Sequence, residues 1–283
     1  MQDKLFKVLL ILSAIVIPVI GGGIIYSLTV DASGAFEEFG FWHFIFSDDW
    51  VTTAGKESYG ALPFITGTLL TTALALLMCI PFSLPVALFT GEYFRGKKIA
   101  AVLGTVIDLL AGIPSIVYGF FGLVVIVPMV QKLTGSSGKG LLTASLLLGM
   151  MILPTIIGVA ETSIRAVPES YYEGSLALGA THERSVFFAQ LPAATSGVMS
   201  GVILGVGRAI GETMAVIMIA GNQPIMPRGL LEGLRTMTAN VVLEMGYASG
   251  LHRRALIATG VVLFVFILII NTCFSLLKRR DQR

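Results

Sequence analysis

Charged side chains are scarce in this chain of 283 residues. Asp, Glu, Lys and Arg make up 13% of the sequence, whereas ordinary soluble domains carry about 25%. Hydrophobic residues account for 55%, and the mean hydropathy is +0.86. This composition excludes an ordinary soluble domain and predicts an integral membrane protein.

Cysteine and histidine are also rare, and their placement excludes several kinds of site. Cys79 and Cys273 both lie in apolar runs without a CxxC spacing, so neither a disulfide framework nor a metal site is indicated. The histidines at positions 43, 182 and 252 do not have the spacing of a metal-ligand set. We therefore predict no metal site and two cysteines that act as small hydrophobic residues.

Two sequence signatures and one kind of residue cluster are missing as well. The chain contains no GxxxxGK[ST] sequence, so it cannot bind nucleotide phosphates through a P-loop, and ATP would have to be used by a partner. It contains no internal repeat, which many secondary transporters have. No combination of nucleophile, base and metal ligands indicates an enzyme.

Six apolar runs are long enough to cross a hydrocarbon core about 30 Å thick, which takes roughly 20 helical residues. They span residues 8–30, 60–89, 99–130, 141–164, 194–220 and 256–277. We therefore predict an all-α integral membrane protein with six transmembrane helices.

The organisation predicted from these runs has two parts. Residues 1–59 are expected to form the first transmembrane helix and an external loop, and residues 60–283 the main transmembrane domain. Pro81 and Pro85 predict a kink or break in the second helix, and the pattern of residues 230–245 predicts a helix outside the membrane.

Basic residues are distributed unevenly between the loops of this topology. Eleven of the nineteen Lys and Arg residues fall on one side and seven on the other, with Arg208 inside a span. Because cytoplasmic loops carry the excess of positive charge, we predict that both termini and the loop 165–193 are cytoplasmic. The pair Arg253-Arg254 counts against this assignment.

A polar segment, residues 168–192, separates the fourth and fifth apolar runs. Pro168 can start a helix, because proline lacks only an N–H that would be unpaired there, and residues 169–178 have a helical pattern that Gly179 ends. One side of this helix is almost without side chains, which suits a helix pressed into a groove of another protein. The small residues are Gly174, Ser175, Ala177, Gly179 and Ala180.

The order Glu173, Gly179 and Leu191-Pro192 resembles the cytoplasmic coupling loop of ATP-binding-cassette importer permeases. That family has Glu-Ala-Ala, a Gly six residues after the Glu, and then Leu-Pro. Gly174-Ser175 departs from the usual Ala-Ala, and the Gly weakens the helix by about 1 kcal/mol. The alternative is an ordinary loop between two membrane helices.

The fifth run contains a row of small residues at every fourth position, Gly197, Gly201, Gly205 and Ala209. Such a row lets another helix approach closely in the membrane. At 100° per residue Glu212 lies on the same face and Arg208 just beside it, four residues away. The two charges could line a substrate pathway, satisfying each other at rest, or form a purely structural ion pair.

Three further polar residues are candidates for the same pathway. Asp108 lies about nine residues into the third run, where it could line the inner pathway, pair with a basic residue or cap a kink. Ser115 and Tyr118 lie one helical turn apart, but hydroxyls in membrane helices most often bond to backbone or to neighbouring helices.

Three separated motifs resemble the PstC type of phosphate-import permease, over roughly residues 59–283. They are Tyr-Gly-Ala-Leu-Pro from residue 59, Gly-Ile-Pro-Ser-Ile-Val-Tyr-Gly-Phe-Phe-Gly from residue 112 and Gly-Arg-Ala-Ile-Gly-Glu-Thr-Met-Ala from residue 207. The resemblance implies the type I importer permease fold in a bacterial cytoplasmic membrane, with phosphate as substrate.

The same resemblance also implies partner proteins. The composition of the chain does not indicate any. The implied partners are a second permease of the PstA type, two copies of an ATPase of the PstB type that binds ATP and Mg²⁺, and an extracytoplasmic phosphate-binding protein of the PstS type. The chain itself would bind no cofactor. Alternatives are a permease for sulfate, molybdate or phosphonate and, less well supported, a proton-coupled transporter using Asp108, Glu161 or Glu212.

The predicted topology can be tested by cysteine labelling in intact cells. Cysteines introduced at Ser170 and Asp281 should be shielded from an impermeant thiol reagent, because both positions are predicted to be cytoplasmic. A cysteine at Ser47 should be labelled from outside. External labelling at Ser170 would overturn the whole arrangement.

Overall fold

The computed structural model describes residues 2–53, 55–94 and 96–281, and this part of the chain is mostly helical. The helices are α1 (Gln2–Phe39), α2 (Phe41–Phe46), α3 (Leu62–Leu88), α4 (Lys98–Gly112), α5 (Ser115–Phe121), α6 (Val127–Thr134), α7 (Leu141–Arg165), α8 (Glu169–Ala177), α9 (His182–Ser185), α10 (Leu191–Gly211), α11 (Met214–Ile219), α12 (Met237–Glu244) and α13 (Gly250–Asp281). π-Helical segments follow α3, α5 and α9, at Phe89–Tyr93, Gly122–Ile126 and Val186–Gln190. Strands β1 (Trp50–Val51) and β2 (Ser58–Tyr59) pair antiparallel.

Six helical segments of the described chain are long and apolar enough to cross a membrane, so the predicted number of spans is confirmed. They are Leu10–Phe39, Leu62–Tyr93, Ser115–Thr134, Leu141–Arg165, His182–Gly211 and Gly250–Leu276. α4 is too short to be among them, although its residues belong to the third apolar run.

The third apolar run, predicted as one helix, is divided. α4 ends at Gly112 and α5 begins at Ser115. Pro114 lacks the N–H that a continuous helix would donate to the Leu110 carbonyl four residues earlier. That carbonyl instead accepts hydrogen bonds from the Tyr118 hydroxyl at 2.8 Å and from the Ile113 N–H at 3.4 Å. The break is thus stabilised by a side chain from the turn that follows it.

The prolines of α3 have a smaller effect than predicted. The helix continues through Pro81 and Pro85 without a break, and its hydrogen-bonding pattern changes only at the π-helical segment Phe89–Tyr93. Neighbouring helices can tolerate prolines in a span by satisfying the carbonyls they free. The alternative of a break is therefore wrong for α3, and a kink at these prolines stays a prediction.

The predicted helix over residues 230–245 is likewise shortened, to α12. The Leu230 and Glu232 carbonyls accept the N–H groups of Leu142 and Leu141, in the first turn of α7. Those N–H groups have no partner within their own helix. Residues 230–236 therefore cap α7 instead of forming a helix of their own.

Two compact units make up the chain. The first comprises Met1–Leu62 and Val241–Val265, and the second Pro63–Asn240 and Phe266–Arg283. The two-part organisation predicted from the sequence, 1–59 and 60–283, stays a prediction.

The first unit contains a buried polar cluster. His252 Nε2 lies 2.8 Å from Glu244 Oε2, which also accepts the Trp50 Nε1–H at 2.9 Å. The Tyr59 ring stacks on His252, with centroids 5.6 Å apart. Burial, and then the nearby carboxylates of Glu57 and Glu244, raise the pKa of Tyr59 to about 12.

In the second unit α7 packs most closely against α10, through the row of small residues predicted to face protein. A Cβ added at Gly197 would collide with the Ser163 side chain, and one at Gly205 would lie 2.9 Å from the Ile156 side chain. At Gly201 it would lie 3.2 Å from the Ile156 carbonyl oxygen. The prediction that this face of α10 packs on protein is therefore confirmed.

This contact predicts that a bulky side chain destabilises the protein strongly at one glycine of α10 and only weakly at another. Gly201→Leu should destabilise the purified chain by about 3 kcal/mol or more, because overpacking against backbone cannot be relieved by a rotamer change. Gly207→Leu is the control, since an added Cβ there meets nothing within 4 Å. Equal melting temperatures of the two variants in detergent would contradict the α7–α10 contact.

Candidate functional site

The fifth apolar run is interrupted at the place where its charged residues lie. α10 ends at Gly211, Glu212 has an extended backbone (φ −68°, ψ 126°), and α11 begins at Met214. Glu212 Oε1 accepts the backbone N–H groups of Thr213 and Ala215, each at 3.1 Å. The carboxylate thus satisfies donors that the first turn of α11 leaves unpaired.

Arg208 is held by another helix. Its Nη1 donates to Thr155 Oγ1 of α7 at 3.0 Å, and both residues are half-buried. Arg208 and Glu212 form no salt bridge, although both lie in the described part of the chain. The expected resting pair is therefore wrong, because the four-residue spacing brings side chains together only if the helix continues.

Tyr118 approaches this region from α5, the helix that Ser115 begins. Tyr118 is buried and its hydroxyl is bonded to the Leu110 carbonyl, but it lies close enough to Arg208 for an electrostatic interaction. Ser115 is half-buried at the first position of α5. α5 packs tightly on α11, since a Cβ at Gly119 would lie 2.9 Å from the Ala215 Cα.

Asp108 belongs to a different place. It lies exposed on α4 and lines a polar cavity of about 540 Å³ together with Lys97, Glu161 and Arg165. Glu161 and Arg165 form an ion pair at 2.7 Å, and Thr90 Oγ1 donates to the other oxygen of the Glu161 carboxylate at 2.8 Å. Asp108 is not one of the residues that the structure brings to Arg208.

Two threonines at this break were missed by the sequence interpretation. Thr155 holds Arg208, and Thr238 Oγ1 donates to the Glu212 carbonyl oxygen at 3.2 Å. The only signal for Thr155 is that a polar residue follows Pro154 inside an apolar run. Nothing in the sequence singles out Thr238, which is brought to Glu212 by the fold of residues 221–240.

The segment between α7 and α10 forms a short helix, as predicted. α8 covers Glu169–Ala177, and Gly179 at φ 86° ends it in the left-handed conformation that favours glycine. None of the α8 side chains is buried, and the adjoining Leu178 is 91% exposed. The described part of the chain therefore leaves α8 exposed.

Side-chain contacts fix α8 against α9, the helix that follows. Ser185 Oγ donates to Ser175 Oγ at 3.0 Å, and the Tyr172 hydroxyl lies 2.8 Å from His182 Nδ1. Ser175, which departs from the usual Ala, therefore has a structural role. Leu191 and Pro192 are not in a loop but form the first turn of α10, where proline is tolerated.

Residues 83–281 match the family described as the inner membrane component of binding-protein-dependent transport systems. The chain is 39% identical over 237 residues to the probable ABC transporter permease protein YqgH of Bacillus subtilis, covering 81% of this chain and 76% of that one. It is 34% identical over 277 residues to the phosphate transport system permease protein PstC of Pasteurella multocida, covering 91% and 85%.

Solved structures agree on the fold. The chain resembles the inward-facing MetNI methionine ABC transporter with a TM-score of 0.60 at 21% identity, covering 78% of this chain and 97% of that one. It resembles a bacterial ABC transporter that imports alginate with a TM-score of 0.65 at 17% identity, covering 96% of each chain. The predicted all-α, type I importer permease fold is thereby confirmed.

The six apolar spans, the family match and the relatives together identify a multi-pass inner-membrane transport subunit. The chain belongs to the inner membrane components of binding-protein-dependent ABC transport systems, and among them to the PstC-type permeases.

Proposed function

We propose that this chain is the permease subunit of an importer that moves inorganic phosphate across the cytoplasmic membrane. Energy comes from ATP hydrolysed by a separate subunit. The observation that carries the proposal is the half-buried Arg208 guanidinium, which is held by Thr155 and is not paired with Glu212. Relatives named as phosphate transport permeases support phosphate as the substrate.

An arginine in this position has an anion-binding function rather than a stabilising one. A charged side chain inside a membrane span is costly to insert, and such residues by default mark substrate pathways. Arginine stays protonated in a membrane and offers a planar set of donors that suits oxyanions. Arg208 therefore provides a fixed positive charge for an anion that crosses.

Glu212 distinguishes phosphate from sulfate. At neutral pH phosphate still carries a P–OH proton, whereas sulfate is fully ionised. Oε1 of Glu212 caps α11, and Oε2 has no hydrogen bond within the described chain, so Oε2 can accept from the P–OH. Sulfate would meet only repulsion from the same carboxylate.

The remaining candidate residues extend the pathway towards the inner side. Tyr118 forms part of its wall beside Arg208, and Ser115 offers a hydroxyl at the start of α5. Asp108, with Lys97 and Arg165, lies in the polar cavity between α4 and α7. The mixed charge of that cavity suits transient contact with an anion rather than tight binding.

The ATPase subunit that supplies the energy docks on α8. This exposed helix, with Glu173, Gly174, Ser175 and Ala177 followed by Gly179 and Ala180, fits a groove of a PstB-type ATPase that binds ATP and Mg²⁺. A PstA-type permease and a PstS-type binding protein complete the importer. The excess of basic residues supports a cytoplasmic position for α8 and both termini.

The two charged residues at the break of α10 should respond unequally to loss of charge. Arg208→Gln should abolish ATP-driven phosphate uptake into proteoliposomes holding the assembled importer, because the attractive charge is lost. Glu212→Gln should keep part of the uptake, since its amide oxygen can still cap α11, and should lose part of the discrimination against sulfate.

Two outcomes would contradict this assignment. Normal uptake by Arg208→Gln would remove the anion site, and uptake driven by a proton gradient without ATP would indicate a secondary transporter. The charge swap Arg208→Glu with Glu212→Arg is the control for a structural pair. Near-normal, equally selective uptake by that variant would show that the pathway role is wrong.

Substitutions in the α8 region should uncouple the ATPase without unfolding the permease. Gly179→Trp and Glu173→Lys should leave the chain inserted in the membrane but lower ATPase copurification and abolish uptake, because bulk or reversed charge prevents docking. Gly135→Trp is a matched control, since Gly135 ends α6 at φ 69° and has equally open surroundings. Normal uptake in both α8-region variants would remove the coupling role.

A further inference from the structure

One threonine of the transmembrane domain uses its hydroxyl differently from its neighbours. Thr68, Thr71 and Thr162 each donate to the carbonyl four residues earlier in their own helix, a common arrangement for threonine in helices. The Thr155 hydroxyl oxygen instead accepts a hydrogen bond from Arg208 Nη1 on another helix.

The bond to Arg208 uses only part of the hydrogen-bonding capacity of the Thr155 hydroxyl. A threonine hydroxyl has one donor proton and two acceptor lone pairs. Nη1 occupies one lone pair, and the described chain offers the proton of Thr155 no acceptor. Because Thr155 is half-buried, a molecule that reaches Arg208 also reaches this proton.

The hydroxyl and the guanidinium therefore present two donors side by side, one hydrogen-bond length apart. Two neighbouring oxygens of one tetrahedral oxyanion can accept from such a pair. The bond between the two side chains also restricts the guanidinium to one orientation, which reduces the side-chain entropy lost when the anion binds.

We propose that Thr155 is a second substrate-contacting residue, which donates its hydroxyl proton to an oxygen of the transported oxyanion while Arg208 binds a neighbouring oxygen. This proposal rests on the function proposed above. It places the anion beside the Arg208–Thr155 hydrogen bond and assigns to α7 a direct part in binding.

The test compares two substitutions in the assembled importer in proteoliposomes. Thr155→Val preserves the shape of the side chain and removes the hydroxyl, and should lower the phosphate imported per ATP hydrolysed by about tenfold, as expected for a lost hydrogen bond to a charged group. Thr155→Ser keeps the hydroxyl and should remain close to the wild type. ATPase copurification should be unchanged in both, and the melting temperature should fall slightly in Thr155→Val alone, because Arg208 loses its hydrogen-bond partner.

Thr162→Val is the matched control. Thr162 lies on the same helix, seven residues further on and so about two turns away, and its hydroxyl donates to the Gly158 carbonyl. Uptake by this variant should be normal. An equal loss in Thr162→Val and Thr155→Val would show a general need for helix hydroxyls and overturn the proposal.

The remaining outcomes separate this inference from the function on which it rests. If Arg208→Gln is inactive while Thr155→Val imports phosphate at the wild-type ratio to ATP, only the role of Thr155 is wrong. If Thr155→Ser fails as badly as Thr155→Val, the methyl packing and not the hydroxyl matters, and the proposal is also overturned. If Arg208→Gln imports phosphate normally, the proposed function itself fails.

Discussion

The close contact between α7 and α10 is the constraint on which the rest of the transmembrane domain depends. Lipid tails are as apolar as leucine, so helices in a membrane associate through packing and hydrogen bonds rather than through hydrophobic burial. Gly201 and Gly205 let the backbone of α10 approach that of α7 at Ile156. This approach also brings Arg208 within reach of Thr155, so the packing contact and the polar contact depend on each other.

Each interruption of a span is compensated by a polar group close to it. The Tyr118 hydroxyl satisfies the carbonyl that Pro114 leaves free, and the Glu212 carboxylate satisfies the N–H groups at the start of α11. An unsatisfied backbone group in hydrocarbon costs several kcal/mol, so irregular backbone persists only where such partners exist. The helices that follow the two breaks, α5 and α11, pack on each other.

The exposed α8 region contrasts with this interior. Its conformation is fixed from within, by Gly179 and by the contact between Ser175 and Ser185, while its outer surface remains uncovered. A helix that is ordered before docking loses little entropy when a partner binds it. Rigidity without burial is therefore what a coupling element between two proteins requires.

The sequence by itself determined the membrane class, the number of spans, the α8 helix and the packing face of α10. These properties depend on hydropathy, on local spacing and on single residues such as Gly179, and all of them can be recognised over a few turns of chain. The same reasoning located the charged residues of the candidate site, because an arginine in an apolar run is conspicuous.

Only the tertiary structure decided the partners of those residues and the ends of the helices. Arg208 bonds to Thr155, 53 positions away in the sequence, and the spacing of four residues to Glu212 has no effect once α10 stops at Gly211. Helix ends depend on which distant groups can satisfy the freed N–H and C=O groups, as Glu232 does for α7. A local pattern cannot identify such partners, because they are brought together only when the helices pack.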